Sequence, residues 1–337
     1  MFLYPLKFVP RLFEKMWGGR KIETDLGKKL PPEKNIGESW EIYDFPPGIL
    51  DSSTNRHSSP IANGVLAGRP LHWAVTEFGA DLLGNVSPIG RHAQFPLLIK
   101  FLDAREDLSV QVHPDEKYCA EHPEAHLKTE AWYILQHDPG ARLFKGLRPG
   151  TTKEAFRAAI DAGTAEQYLA AVPARQDQCH YLPSGTIHAL GAGILAAEVQ
   201  TPSDTTFRVF DFNRVDPSTG RPRPLHVEQA MQCIDFSGRP EDPQPRSPIS
   251  APKRRVITSP FFKIERVRSS EGIEEPLKLT EPAIWIMLQG EAHIKVDGVK
   301  QAVTFTRGET LLLPVAMKKP VLKTMSECLW LEVTFPC

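Results

Sequence analysis

The 337-residue chain has only five cysteines, Cys119, Cys179, Cys233, Cys328 and Cys337, odd in number and with no CxxC pair. This argues against a disulfide framework and fits a reducing compartment. Long hydrophobic runs are missing too. None approaches the roughly 18 residues needed to cross a bilayer, and the opening MFLYPLKFVPRLF lacks the ordered basic, apolar and small-residue regions of a secretory signal. A cytoplasmic protein with no membrane partner is the expectation. Charge of one sign is also missing: Lys+Arg 40 against Asp+Glu 41 leaves a net -1, which excludes a global nucleic-acid footprint and leaves any anionic ligand to local groups. The glycines of Trp17-Gly18-Gly19 and of Gly191-Ala192-Gly193 form neither a Walker loop nor a dinucleotide fingerprint, so no nucleotide cofactor is implied.

Proline, by contrast, is abundant at 31 residues, which favours turns and short strands over long helices. Segments 96–114, 128–135, 178–183, 194–200 and 206–212 read as strands, divided by turn sequences such as PSGT and TPSD. A helical insertion is predicted over 153–172, where Phe156, Ile160, Tyr168 and Leu169 recur at helical spacing, and an amphipathic helix over 225–236. The run GRPEDPQPRSPISAPKRR has prolines every few residues and reads as an extended linker. Beyond it, 261–267, 283–288, 292–296, 302–306, 310–313 and 328–335 alternate with LQG, VDG and TRG turns. The expected organisation is a β-rich unit over 1–237 with its helical insertion near 150–173, a linker over 238–256, and a small β-domain over 257–337.

The strand at 108–113 alternates cleanly. Leu108, Val110 and Val112 share one face, and Ser109, Gln111 and His113 share the other. If both faces are covered, as in a barrel, the polar one needs a metal or polar ligand to satisfy it. The strand at Lys128 repeats the pattern, with Lys128, Glu130 and Trp132 opposite Thr129, Ala131 and Tyr133. In LPSGTIHALG, a tight Pro-x-Gly turn presents His188. Gln111, His113, Glu130 and His188 together form an N/O ligand set suited to one Zn²⁺ with room for water or substrate. Cys119, His122 and His126 fall on one helical face but lack a fourth partner, and His293 is a lone strand histidine.

The blocks GESWEI, FPLLIKFLDAREDLSVQVHPDE, KTEAWYIL, LPSGTIHALG and AAEVQTPSDTTFRVFDFNR resemble the shorter bacterial form of the type I mannose-6-phosphate isomerases. The resemblance runs from Trp17-Gly18-Gly19 through LHVEQAMQCIDF and, more weakly, through the C-terminal β-unit. It implies mostly β cupin barrels with a small helical insertion and a zinc-dependent aldose-ketose isomerase interconverting D-mannose 6-phosphate and D-fructose 6-phosphate. It also matches Gln111, His113, Glu130 and His188 to the metal ligands. Arg208 is implied near the reacting carbons and Glu198 beside the metal as an acid/base group, while Lys100, Ser109 and Lys128 line the sugar-phosphate pocket. Lys128 is a candidate base as well as a phosphate anchor, and Glu198, Lys128 and a metal-bound hydroxide all stay open as the base. A small-molecule sugar phosphate is then the partner, acting on a monomer or weak homo-oligomer. Another sugar-phosphate isomerase, or a cupin that binds without turnover, is the rival reading. In the C-terminal unit LLLPVAMKK has neither the glycine nor the histidine of a second metal turn.

Overall fold

The computed structural model describes residues 2–46, 57–90, 92–216, 219–238 and 251–336. In chain order the first strands are β1 (Arg11–Gly19), β2 (Ile36–Ile42), β3 (Leu98–Ala104), β4 (Val110–Val112), β5 (Glu130–His137) and β6 (Arg142–Leu147). They continue with β7 (Leu169–Pro173), β8 (Cys179–Leu182), β9 (His188–Ala189), β10 (Ile194–Gln200) and β11 (Phe207–Phe210). All pairings are antiparallel and form two sheets, ordered β1-β2-β3-β10-β5-β8 and β11-β4-β9-β6-β7.

The alternation read from the sequence assigns the layers. On β3, β5 and β10 one set of side chains, Ile99, Phe101, Ala131, Tyr133, Leu195, Ala197 and Val199, joins a core shared with the C-terminal part of the chain. The intervening residues Leu102, Trp132, Ile134, Ile194 and Ala196 point the other way and pack with Leu143 of the facing sheet, with Leu190 and with Leu108. Leu108 precedes β4 and turns inward instead of sharing the face of Val110 and Val112 as its spacing predicts. That second sheet turns Val110, Val112 and Phe144 outward, beneath the helices Lys153–Asp161 and Val227–Cys233. Strands covered on both faces read as nearly continuous apolar runs, and β3 and β10 are buried throughout.

The helical insertion is shorter than its spacing predicts. Thr152 caps the helix by accepting from the Ala155 N–H at 3.2 Å, and Phe156, Ala159 and Ile160 form the buried stripe. It stops at Asp161 because Gly163 adopts φ +69 and donates to the Ile160 carbonyl while Thr164 donates to that of Ala159, a Schellman closure. Tyr168 then ends a short 3-10 turn, and Leu169 to Val172, expected as helix, pair as strand β7 against β6.

The C-terminal strands are β12 (Lys253–Thr258), β13 (Lys263–Ser269), β14 (Glu274–Pro276), β15 (Ala283–Gln289) and β16 (Glu291–Lys295). They end with β17 (Val303–Thr306), β18 (Thr310–Leu313), β19 (Val321–Thr324) and β20 (Cys328–Thr334). They form sheets β12-β13-β20-β15-β18 and β14-β19-β16-β17. Of the expected linker, 239–250 lie outside the described residues, whereas its end is strand β12. Val256 and Ile257 reach the core there, and Lys253 and Arg255 pair with Glu265 of β13. The amino-terminal segment also enters this half, since Leu6 and Leu312 exchange backbone hydrogen bonds of 2.8 and 2.9 Å.

Candidate active site

The inner surface between the first two sheets carries the polar face of β4. Gln111 sits opposite His188 of β9 on one side and Arg208 of β11 on the other. His113 follows β4, Glu130 opens β5, and Lys128 precedes it. The His188 strand follows the turn at Gly185, whose φ of +82 and close approach to the Cys233 carbonyl suit glycine. Gly185 also ties the turn to the site by donating to the His113 carbonyl at 3.0 Å.

His113, Glu130 and His188 are all essentially inaccessible to solvent, and their ligating atoms lie within 4.8 Å of one another. Nε2 of His113 is 3.4 Å from Glu130 Oε2, and Nε2 of His188 is 3.0 Å from Oε1. Each imidazole donates its Nδ1–H to a backbone carbonyl, His113 to Thr205 at 3.1 Å and His188 to Thr186 at 2.8 Å. That tautomer leaves both Nε2 atoms as lone pairs directed toward a carboxylate. Burial, with the Lys128 ammonium pushing the same way, lowers the His113 pKa to about 3. For Glu130, burial alone would favour the neutral acid, but the Lys128 ammonium outweighs it and holds the carboxyl well below its ordinary value. Lys128 Nζ is 3.1 Å from Oε2, yet neither Glu130 oxygen nor His113 Nε2 makes a well-aligned hydrogen bond. Two imidazole Nε2 atoms and a carboxylate converging on one buried point fit a cation. The Gln111 amide nitrogen lies 3.2 Å from His188 Nε2, and turning that amide would present its oxygen as a fourth ligand.

A second buried charge group lies alongside. Lys100 Nζ contacts Glu198 Oε1 at 2.8 Å and Gln200 Oε1 at 2.6 Å, over the face of Trp40. Glu198 Oε2 accepts from the Trp132 indole at 2.8 Å. Glu38 is held by Lys15 at 3.0 Å and by the Trp40 indole at 2.7 Å. Burial opposes its ionisation, but Lys15 and Lys100 outweigh that and its pKa falls to about 2. Across the site, Arg208 Nε donates to Ser109 Oγ at 3.1 Å and Nη1 to the Pro224 carbonyl at 3.0 Å.

The residues singled out from the sequence thus fall into three adjoining groups. Gln111, His113, Glu130, His188 and Lys128 form one, Lys100 and Glu198 the second, and Arg208 and Ser109 the third. His293 stays apart, bonded to Glu291 at 2.9 Å. His122 stacks on Tyr118, and among the described residues Cys119, His122 and His126 form no metal-ligating group. Glu38, Trp40 and Gln200 escaped the sequence reading, although the alternation in GESWEI that places Glu38 beside Trp40 carried the same signal as the strand at 108–113.

Residues 6–143 match the family model of the type I phosphomannose isomerase catalytic domain. The chain is 36% identical over 317 residues to the mannose-6-phosphate isomerase of Streptococcus mutans, covering 93% of both. It is 32% identical over 333 residues to a mannose-6-phosphate isomerase of Bacillus subtilis, covering 96% of this chain and 98% of that one. A crystal structure of a Bacillus subtilis mannose 6-phosphate isomerase matches with a TM-score of 0.83 at 28% identity, over 98% and 99% of the two chains. Fold and cluster together define a cupin in which His113, Glu130 and His188 form a group able to hold a metal ion. The chain belongs to the type I phosphomannose isomerase family and is an enzyme of that family.

Proposed function

We propose that the enzyme interconverts D-mannose 6-phosphate and D-fructose 6-phosphate, with Zn²⁺ held by Gln111, His113, Glu130 and His188, in a catalytic unit over 1–237. The observation that carries this reading is the pair of imidazole lone pairs facing the ionised Glu130 inside a chain of this family. When bound, Zn²⁺ supplies Lewis acidity to the sugar oxygens and so raises the acidity of the neighbouring C–H bond.

The reaction moves a proton between C1 and C2 of the open-chain sugar through an enediol(ate). It therefore needs a base near both carbons and positive charge where negative charge grows on oxygen. Arg208 supplies that charge from β11, kept in place by Ser109 and the Pro224 carbonyl. Glu198 and Lys128 are the two side-chain candidates to exchange the proton. Lys100 and Ser109, joined by Lys128 where Glu198 is the base, line the sugar-phosphate pocket and hold the dianion locally in a chain without net positive charge.

The test is a coupled assay for fructose 6-phosphate formed from mannose 6-phosphate, run on the protein as purified, after chelation, and after Zn²⁺ is restored. Activity that disappears and returns is expected. Folded, metal-loaded protein that binds the sugar phosphate without turning it over would replace the isomerase reading with that of a binding cupin.

A further inference from the structure

Trp132 lies between the two buried charge groups and has so far had no role. Its side chain is fully buried on the inner face of β5, in register with Glu198 of β10. The indole N–H donates to Glu198 Oε2 at 2.8 Å, and the ring meets His188 edge-on, with centroids 5.2 Å apart at 83°. One rigid side chain therefore touches both the second carboxylate and a proposed metal ligand.

We propose that Trp132 is a positioning residue for the reaction, fixing the Glu198 carboxylate so that one oxygen is held by the indole and the other faces Lys100 and the sugar. The inference rests on the reading of Glu198 as the acid/base group. An indole N–H is a donor only and has no rotor of its own, unlike a hydroxyl or an amide that can turn to accept. It therefore selects one orientation of a side chain with three rotatable bonds. Without it, a buried carboxylate oxygen loses its partner, and both oxygens turn toward the Lys100 ammonium.

The C-terminal unit provides an internal control. There Trp285 donates to Glu332 at 2.9 Å, again directly across from it on the neighbouring strand, but Glu332 pairs with Lys253 at the surface and, among the described residues, no metal-ligating cluster lies near. A cross-strand tryptophan–glutamate pair thus recurs in this scaffold, and of these two it is the pair at Trp132 that adjoins the reacting centre.

The test is a double-mutant cycle in the metal-loaded enzyme with W132F, E198Q and both together, with W285F alongside, reading kcat, KM, bound zinc and Tm. W132F is expected to keep its zinc and leave KM within about threefold, while kcat falls about 10- to 100-fold. In the E198Q background the same change should cost less than about twofold. W132H, which retains a ring N–H, should recover part of the kcat lost in W132F, and its own cycle with E198Q decides the matter if W132F does not fold. W285F should lower Tm without changing kcat. Losses that multiply in the double mutant, zinc lost from W132F, or an equal fall of kcat in W285F would each reduce Trp132 to packing and overturn the inference. E198Q with wild-type kcat would instead remove the acid/base reading of Glu198 beneath it.

Discussion

The two halves of the molecule use antiparallel sheets, yet they fill the space between them in opposite ways. Between the first pair lie Lys100, His113, Glu130, His188 and Glu198, all nearly or fully buried. The C-terminal core is packed with Trp285, Met287, Phe305, Leu311 and Trp330, with Trp285 and Trp330 at 4.9 Å. The second half shows that this architecture closes well on apolar side chains. A charged interior is therefore not a demand of the fold, and desolvating those groups costs stability that hydrophobic packing would have supplied. The difference locates the chemistry more firmly than the fold does.

That contrast can be broken most sharply at the metal ligands. His113→Ala should remove bound metal and lower kcat by about three orders of magnitude or more, measured by metal analysis together with the coupled assay. Retained metal would mean that the first interior is held by its own ion pairs. A change in the other half should do the reverse. Leu331→Ala empties a fully buried site and should cost about 2–5 kcal/mol in denaturant unfolding, while metal content and the kcat of the folded fraction stay unchanged. The smallest effect concerns pH. Because the Glu38 pKa falls from its ordinary 4.5 to about 2, its contribution to stability is present above pH 4.5 and is lost as pH falls toward 2. Glu38→Gln should remove about 1–3 kcal/mol at neutral pH and flatten the acid side of the stability profile. An unchanged profile would show that Lys15 and Lys100 do not hold that carboxylate.

Much of this was legible in the sequence because a strand writes its two faces in alternate letters. The split of Val110 and Val112 from Gln111 and His113, and of Ala131 and Tyr133 from Glu130 and Trp132, reappears as the division between packed layers. Distance along the chain hid the rest. Nothing local to Glu198 reveals that Lys100 and Trp132 flank it on neighbouring strands, since that follows from the register of β3, β10 and β5. The helix over 153–161 was over-extended because Tyr168 and Leu169 continue its spacing, whereas Gly163 had already ended it. Strand β12 went unread because prolines upstream and a run of basic residues masked Val256 and Ile257.

The bridge between Leu6 and Leu312 bears on how the polypeptide is made. Leu6 is synthesised roughly 300 residues before Leu312, so this contact closes a long loop and forms only after both halves have been made. Tyr4 and Phe8 find nearby partners early, at Leu66 and Ile61, whereas Leu6, fully buried in the finished molecule, lacks its strand partner until then. The segment around Leu6 thus acts as a clasp, fastened to β18 after both halves have been built.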